Sequence, residues 1–282
     1  LLEPELQKIA SRVVLFALSP SIGFIVILFL GVIRVHPVLF TIGGVELYSY
    51  GFMIGIGLVL GLIIASKKME RKGLNPDDFF TFFLLIIVCG IVGGRLFHVV
   101  LNKESYTTLI SILDLRGGGL AIHGVLFGGL IGALAYSMAK KIQPGTLLDI
   151  IVPSVALGQG FGRIGCFLNG CCYGIPTDGS WGVLTRYAPG LRHPYQLYES
   201  AANFALFVVL MRLSEKTETR GVVTLAYVSG YSVIRFCLEF FRDSEKNLLG
   251  LSSAQWLSLA LLVLSLLVYY LLVSKKAKKV PS

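Results

Sequence analysis

The sequence predicts an all-α integral membrane protein, a polytopic bundle of seven to eight transmembrane helices with a small outer-side module. Three observations carry this expectation. Of the 282 residues, 55% are hydrophobic and only 15% are charged, where soluble domains carry about 25% charge. The apolar residues fall in runs of roughly 20, the length a helix needs to cross a bilayer; a membrane β-barrel would show ~10-residue alternating segments instead. Most of the Lys and Arg stand in short clusters between those runs, the arrangement that orients a polytopic protein. A water-soluble globular enzyme is excluded. So is a disordered chain, which requires low hydrophobicity and high charge.

Eight apolar segments follow in order. Segment 13–33 is long for a signal peptide, and no A-x-A-like site follows it, so it reads as retained. Ser19-Pro20-Ser21 interrupts it, so it can span, lie on the membrane or re-enter. Segment 47–66 ends at Lys67 and Lys68 and carries Tyr50 near its start. Segment 79–101 carries Arg95 and His98. Segment 118–139 is entered through Gly117-Gly118-Gly119, holds His123, and ends at Lys140 and Lys141. Segment 146–165 carries Arg163. The polar, Gly- and Pro-bearing connection 166–193 is the expected outer-side module. Segment 194–211 opens on Pro194, a common helix start. Segment 221–241 carries Arg235 and Glu239, with Arg242 just beyond. Segment 253–273 runs into Lys275 and Lys276.

The net charge of +9 would raise nucleic acid as a partner in a soluble protein. Here no nucleic-acid partner is expected, because the cations mark loops. With both termini cytoplasmic, the inner loops hold Lys67, Arg71, Lys140, Lys141, Arg212 and Lys216, which satisfies the positive-inside bias. Five helices then carry polar groups in the same outer half of the bilayer. Arg95 stands about 24 Å up its helix and Arg235 about 21 Å, at ~1.5 Å per residue.

Ionisable groups inside spanning helices are costly and face the bundle interior. Arg235, Glu239 and Arg242, at i, i+4 and i+7, are expected on one helix face. Glu239 can serve as an internal ion-pair partner. Arg95, Arg163, Arg235 and Arg242 against Glu199 and Glu239 leave an excess of positive charge, which predicts an anionic ligand. Arg matches phosphate bidentately and stays charged when desolvated. In a bilayer the natural ligand is a phospholipid head group. Gly124, Gly128 and Gly132, and again Gly158 and Gly162, stand four apart, the spacing for close helix packing. The alternative for Gly128 and Gly129 is room for an acyl chain.

Several blocks resemble a known family. His123-Gly124 with Gly128-Gly129-Leu130 resembles the His-Gly-Gly-Leu helix of bacterial prolipoprotein diacylglyceryl transferases. Gly162-Arg163-Ile164-Gly165-Cys166-Phe167-Leu168-Asn169-Gly170 resembles the family signature G-R-x-G-N-F-x-N-G. Arg192 to Glu199 resembles R-H-P-x-Q-L-Y-E, and Arg235 to Arg242 resembles F-R-x-x-x-E-F-F-R. Tyr50-Gly51 and Gly93-Gly94-Arg95 fit two further landmarks. The likeness runs from about His36 to the C-terminus. It divides the chain into an N-terminal extension 1–35 and a transferase-like transmembrane domain 36–282 that includes module 166–193. Two positions depart from the family pattern: Cys166 stands for its Asn, and Cys171 for its usual acid.

The resemblance implies a transferase in the bacterial cytoplasmic (inner) membrane. It acts on phosphatidylglycerol and the lipobox cysteine of a preprolipoprotein signal peptide, forms a thioether and releases glycerol phosphate. Arg163 and Arg235 are the expected phosphate ligands. His123 is the candidate base, with an orienting role as its alternative. Tyr50, Arg95, Gly128, Cys166, Asn169, Glu199, Glu239 and Arg242 are the expected substrate-binding residues. His98 and His193 are read as structural. No cofactor and no metal are expected. The five Cys lack C-x-x-C spacing, and Cys166 with Cys171 or Cys172 is read as packing or a disulfide. Two other readings stay open: a paralogous transferase with a different acceptor, and a phospholipid-binding or transport protein. The latter would predict related halves, and no internal repeat is evident.

Overall fold

The computed structural model describes residues 37–277, apart from 43, 44, 75, 107 and 115–118. Segment 13–33, the extension 1–35, Gly117 and Gly118 therefore lie outside the described residues. Helix dominates. The long helices are α1 (Ser49–Arg71), α2 (Pro76–Leu101), α4 (Ile122–Lys140), α5 (Pro144–Asn169), α6 (Tyr195–Lys216), α7 (Val222–Leu238) and α8 (Ser253–Ala277), with a one-turn α3 (Leu109–Leu113) between α2 and α4. All except α3 and α4 are long and apolar enough to cross a membrane. The chain is thus a multi-pass membrane protein of all-α type. It has two additions that the sequence reading did not contain. An antiparallel hairpin, β1 (Val38–Ile42) with β2 (Val45–Tyr48), precedes α1, and a second, β3 (Val183–Leu184) with β4 (Leu191–Arg192), lies in the 166–193 connection.

The described residues form two compact units, one of residues 65–150 and one of the rest. In the 65–150 unit, α2 and α4 pack backbone on backbone. A Cβ at Gly124 would collide with the Gly93 carbonyl, and one at Gly128 with the Cys89 carbonyl. This corrects the acyl-chain role considered for Gly128: its missing side chain is the space that α2 occupies. The rings of Phe82 and Tyr136 close the other end of this interface, 4.8 Å apart.

In the other unit, Ala156 and Leu157 of α5, Phe207 and Leu210 of α6 and Val223 of α7 form a dry core. A Cβ at Gly57 of α1 would stand 3.2 Å from the Gly158 Cα of α5, so the helices approach closely at Gly158, although a methyl added at Gly158 or Gly162 itself meets nothing within 4 Å. An added methyl would meet the Phe204 ring at 2.6 Å from Gly160 and the Tyr50 backbone at 3.2 Å from Gly165. Gly128→Ala is therefore expected to destabilise the folded protein by about 1–3 kcal/mol or more through overpacking. Gly162→Ala should leave thermal unfolding in detergent unchanged. Equal melting temperatures for both variants would contradict this packing.

Candidate active site

Five helix ends in the larger unit build one polar cluster. Arg163 lies in the last two turns of α5. Tyr195 and Glu199 form the first turn of α6, one turn apart and so on one face. Tyr231 and Arg235 are related in the same way near the end of α7. Helix α7 stops at Leu238, and Glu239 opens a 3-10 turn, so Arg242 is extended rather than helical. Ser252 and Gln255 enter from the start of α8, and Tyr50 from the start of α1.

The charges are closely knit. Arg163 Nε lies 2.9 Å from Glu199 Oε2, and Arg235 Nη1 lies 3.7 Å from the same oxygen. Arg235 Nη1 also lies 2.9 Å from Glu239 Oε2, which Arg242 approaches at 3.6 Å. Tyr231 donates its hydroxyl to Glu199 Oε1 at 3.3 Å, and Ser252 donates to Glu239 Oε1 at 3.1 Å. Arg235 donates to the Tyr195 hydroxyl, and the Arg242 guanidinium stands 5.9 Å from the Tyr195 ring centre.

Burial separates the two kinds of group. Both glutamates are 1% exposed, while the arginine side chains keep 20%, 14% and 26% at positions 163, 235 and 242. The carboxylates are buried, whereas each of the three arginine side chains keeps some accessible surface. Three arginines against two glutamates leave one net positive charge. Burying an unpaired charge is costly, so this arrangement holds the cations in place and favours an anion on the accessible side.

The cluster continues toward the end of α5. Asn169 is the last residue of that helix, and the Cys171 thiol points back to the Cys166 carbonyl at 3.7 Å. The Sγ atoms of Cys166, Cys171 and Cys172 lie within 4.8 Å of one another, and all described cysteines are free thiols. The Cys172 thiol is held below its ordinary range, first by hydrogen bonds from Cys166 and Cys171 and then by the fields of Arg163 and Arg242. Beyond the thiols, the 170–193 connection is tied to the chain that follows α7. Ile175 N donates to Phe241 O at 3.0 Å, and Arg192 pairs with Asp243 at 2.6 Å. His193 orders this connection, packed on Trp181 and Phe241 with Nδ1 3.2 Å from the Tyr198 hydroxyl.

The 65–150 unit holds the other candidates. Arg95 is buried, and its guanidinium donates to the carbonyls of Ile112 at 2.7 Å, Ser111 at 2.8 Å, Asp114 at 2.6 Å and Gly119 at 3.0 Å. It also stacks over Tyr106. It is the clamp of the connection between α2 and α4. His98 bonds the Tyr106 hydroxyl at 3.0 Å, which fits its structural reading. His123 is the second residue of α4 and is exposed, with the Phe97 ring 6.3 Å away. It stands at the helix mouth, not the turn and a half inside that segment 118–139 implied.

Residues 37–271 match the family described as Prolipoprotein diacylglyceryl transferase. This chain belongs to that family. It is 38% identical over 239 residues to the phosphatidylglycerol–prolipoprotein diacylglyceryl transferase of Clostridium tetani, an alignment that covers 83% of this chain and 96% of the relative. The protein of that name from Clostridioides difficile is 35% identical over 86% of this chain and 96% of its own. Transferase 2 of Clostridium perfringens is 35% identical over 82% and 93%.

Within this family member, sequence reasoning missed the two tyrosines that finish the network, Tyr195 and Tyr231. Their signal was present as the i, i+4 pairs Tyr195–Glu199 and Tyr231–Arg235. Arg95, counted with the other arginines in the sequence, has its guanidinium on the backbone carbonyls of the connection between α2 and α4.

Proposed function

We propose that this protein transfers the diacylglyceryl group of phosphatidylglycerol to the lipobox cysteine thiol of a preprolipoprotein. The observation that carries this reading is the arginine face of the polar cluster, Arg163, Arg235 and Arg242, backed by two buried glutamates. The lipobox thiolate attacks the glyceryl carbon that bears the phosphate ester. The carbon–sulfur bond forms as the carbon–oxygen bond breaks, and the electron pair leaves with glycerol phosphate. Negative charge grows on the departing phosphate, and preorganised cations stabilise that growth. Arg163 and Arg235 take this part, with Arg242 beside them. Glu199 and Glu239 are positioning residues that fix the guanidinium forks. Tyr50, Asn169 and Cys166 border the donor site. His123 accepts the thiol proton, and Arg95 orders its connection.

The enzyme works in the bacterial cytoplasmic membrane, with the active site in the outer half. The positive-inside bias of the loops supports this sidedness. A single cysteine introduced at Asp178 in a background lacking other reactive thiols is expected to label from outside intact cells, and one at Lys141 to stay protected. The opposite pattern would invert the topology.

The decisive assay incubates purified protein with labelled phosphatidylglycerol and a lipobox peptide. Thioether-linked peptide and glycerol phosphate should appear in equal amounts. Glycerol phosphate without modified peptide would shift the reading to another acceptor; neither product would overturn it.

A further inference from the structure

The three cysteines are brought together by a defined piece of backbone. Helix α5 ends at Asn169, and Gly170 takes the left-handed conformation with φ 77°. Gly170 N donates to Phe167 O at 3.0 Å and Cys171 N to Cys166 O at 3.1 Å. These are the two bonds of a Schellman ending, in which the chain folds back over the last helical turn. The fold-back sets Cys171 directly above Cys166, its thiol 3.7 Å from the Cys166 carbonyl. Cys172 is then left-handed as well, with φ 57°. A residue with a Cβ resists that conformation by roughly 1–2 kcal/mol. The turn holds this strained cysteine where its sulfur meets the other two.

We propose that Cys166, Cys171 and Cys172 form a three-thiolate site for a soft d10 metal ion, of the Zn(II) or Cu(I) class. Thiolates select these ions over harder ones. Zn–S bonds of about 2.3 Å imply sulfur–sulfur separations of about 3.8 Å in a tetrahedron, and the three Sγ atoms already lie within 4.8 Å of one another. A disulfide would use two of the sulfurs and leave the third without a role, whereas a metal uses all three. The cluster is half-buried, so water or another ligand can fill a fourth position.

The charge balance also fits. Metal ligands must be thiolates, and three thiolates around a divalent ion leave a complex with one net negative charge. Arg163 and Arg242 are the cations whose fields reach this site. The proposal is independent of the transferase reading, since it asks only for bound metal.

The test uses the full-length protein in detergent, reduced, freed of reductant under inert gas and titrated with Cd(II) as the spectroscopic probe. The expected result is a thiolate-to-metal charge-transfer band that saturates at one equivalent. Serine at any one of the three positions should weaken binding at least about tenfold, as loss of a ligand requires. The Cys89→Ser/Cys237→Ser variant, altered at the two other described cysteines, should bind like the parent. Thermal unfolding of each variant without metal separates lost ligands from lost fold. Should a single Ser variant unfold, blocking the thiols of the parent with a reversible reagent and then releasing them should abolish and restore the band. Absence of a band in the folded parent would overturn the proposal. So would a band that survives serine at all three positions, or one lost only in the Cys89/Cys237 variant.

Discussion

Arg163→Ala and Arg235→Ala are each expected to lower turnover by about 10²–10³-fold or more, the range for removing one preorganised donor from a developing anion. Lys at either position should recover little, because a point charge cannot replace the planar fork. The readout is thioether product from phosphatidylglycerol and a lipobox peptide. A structural explanation competes with the catalytic one and must be separated from it. Glu199 is 1% exposed, and removal of its closest cation leaves a buried carboxylate short of a partner, which can cost about 3–5 kcal/mol. Arg163→Gln/Glu199→Gln removes both charges and restores balance. If Arg163 serves only to neutralise Glu199, this double variant should regain both stability and activity. If Arg163 meets the phosphate, stability should return and turnover should not. Near-parental turnover in the double variant would end the phosphate assignment for Arg163.

The helices were legible because each crosses a bilayer and so needs an uninterrupted apolar run, and because clusters such as Lys140-Lys141 mark where the run stops. Their ends were less legible. Segment 146–165 continues to Asn169, since the residues after Arg163 are still compatible with helix and the stop signal is Gly170. Hairpin β1–β2 was not read from the sequence, although β-branched and aromatic residues on both sides of Gly43-Gly44 are a hairpin signal. The ion-pair network was partly legible from the spacing of Arg235 and Glu239. Its depth was not, because the partners that surround Glu199 and Glu239, namely Tyr195, Tyr231 and Ser252, arrive from α6, from α7 and from the residue before α8. The meeting of Cys166 with Cys171 or Cys172 was expected as packing or a disulfide, but the convergence of all three sulfurs was not read. Cys-x4-Cys-Cys spacing is unremarkable in a straight helix, and only the left-handed residues 170 and 172 turn it into a convergent site.

His123→Asn is expected to cost about 10²–10⁴-fold in the chemical step, the usual worth of a positioned proton acceptor, with little loss of stability. The stability expectation follows from its place: His123 is exposed at the second position of α4, and surface substitutions away from caps and cores change stability by about 0.5 kcal/mol or less. The packing of α2 on α4 runs through Gly93, Gly124 and Gly128 and does not depend on the imidazole. Asn preserves a polar, hydrogen-bonding side chain but has no basic nitrogen. The substitution therefore separates orientation from proton transfer. Single-turnover formation of thioether should fall while retention of labelled phosphatidylglycerol by the purified variant stays at the parental level. The thiol needs to become a thiolate before it can attack, so the variant should also regain rate with a peptide whose nucleophile is more acidic. If Asn preserves the single-turnover rate, His123 is an orienting residue, and the positive field of Arg163, Arg235 and Arg242 has to lower the thiol pKa instead.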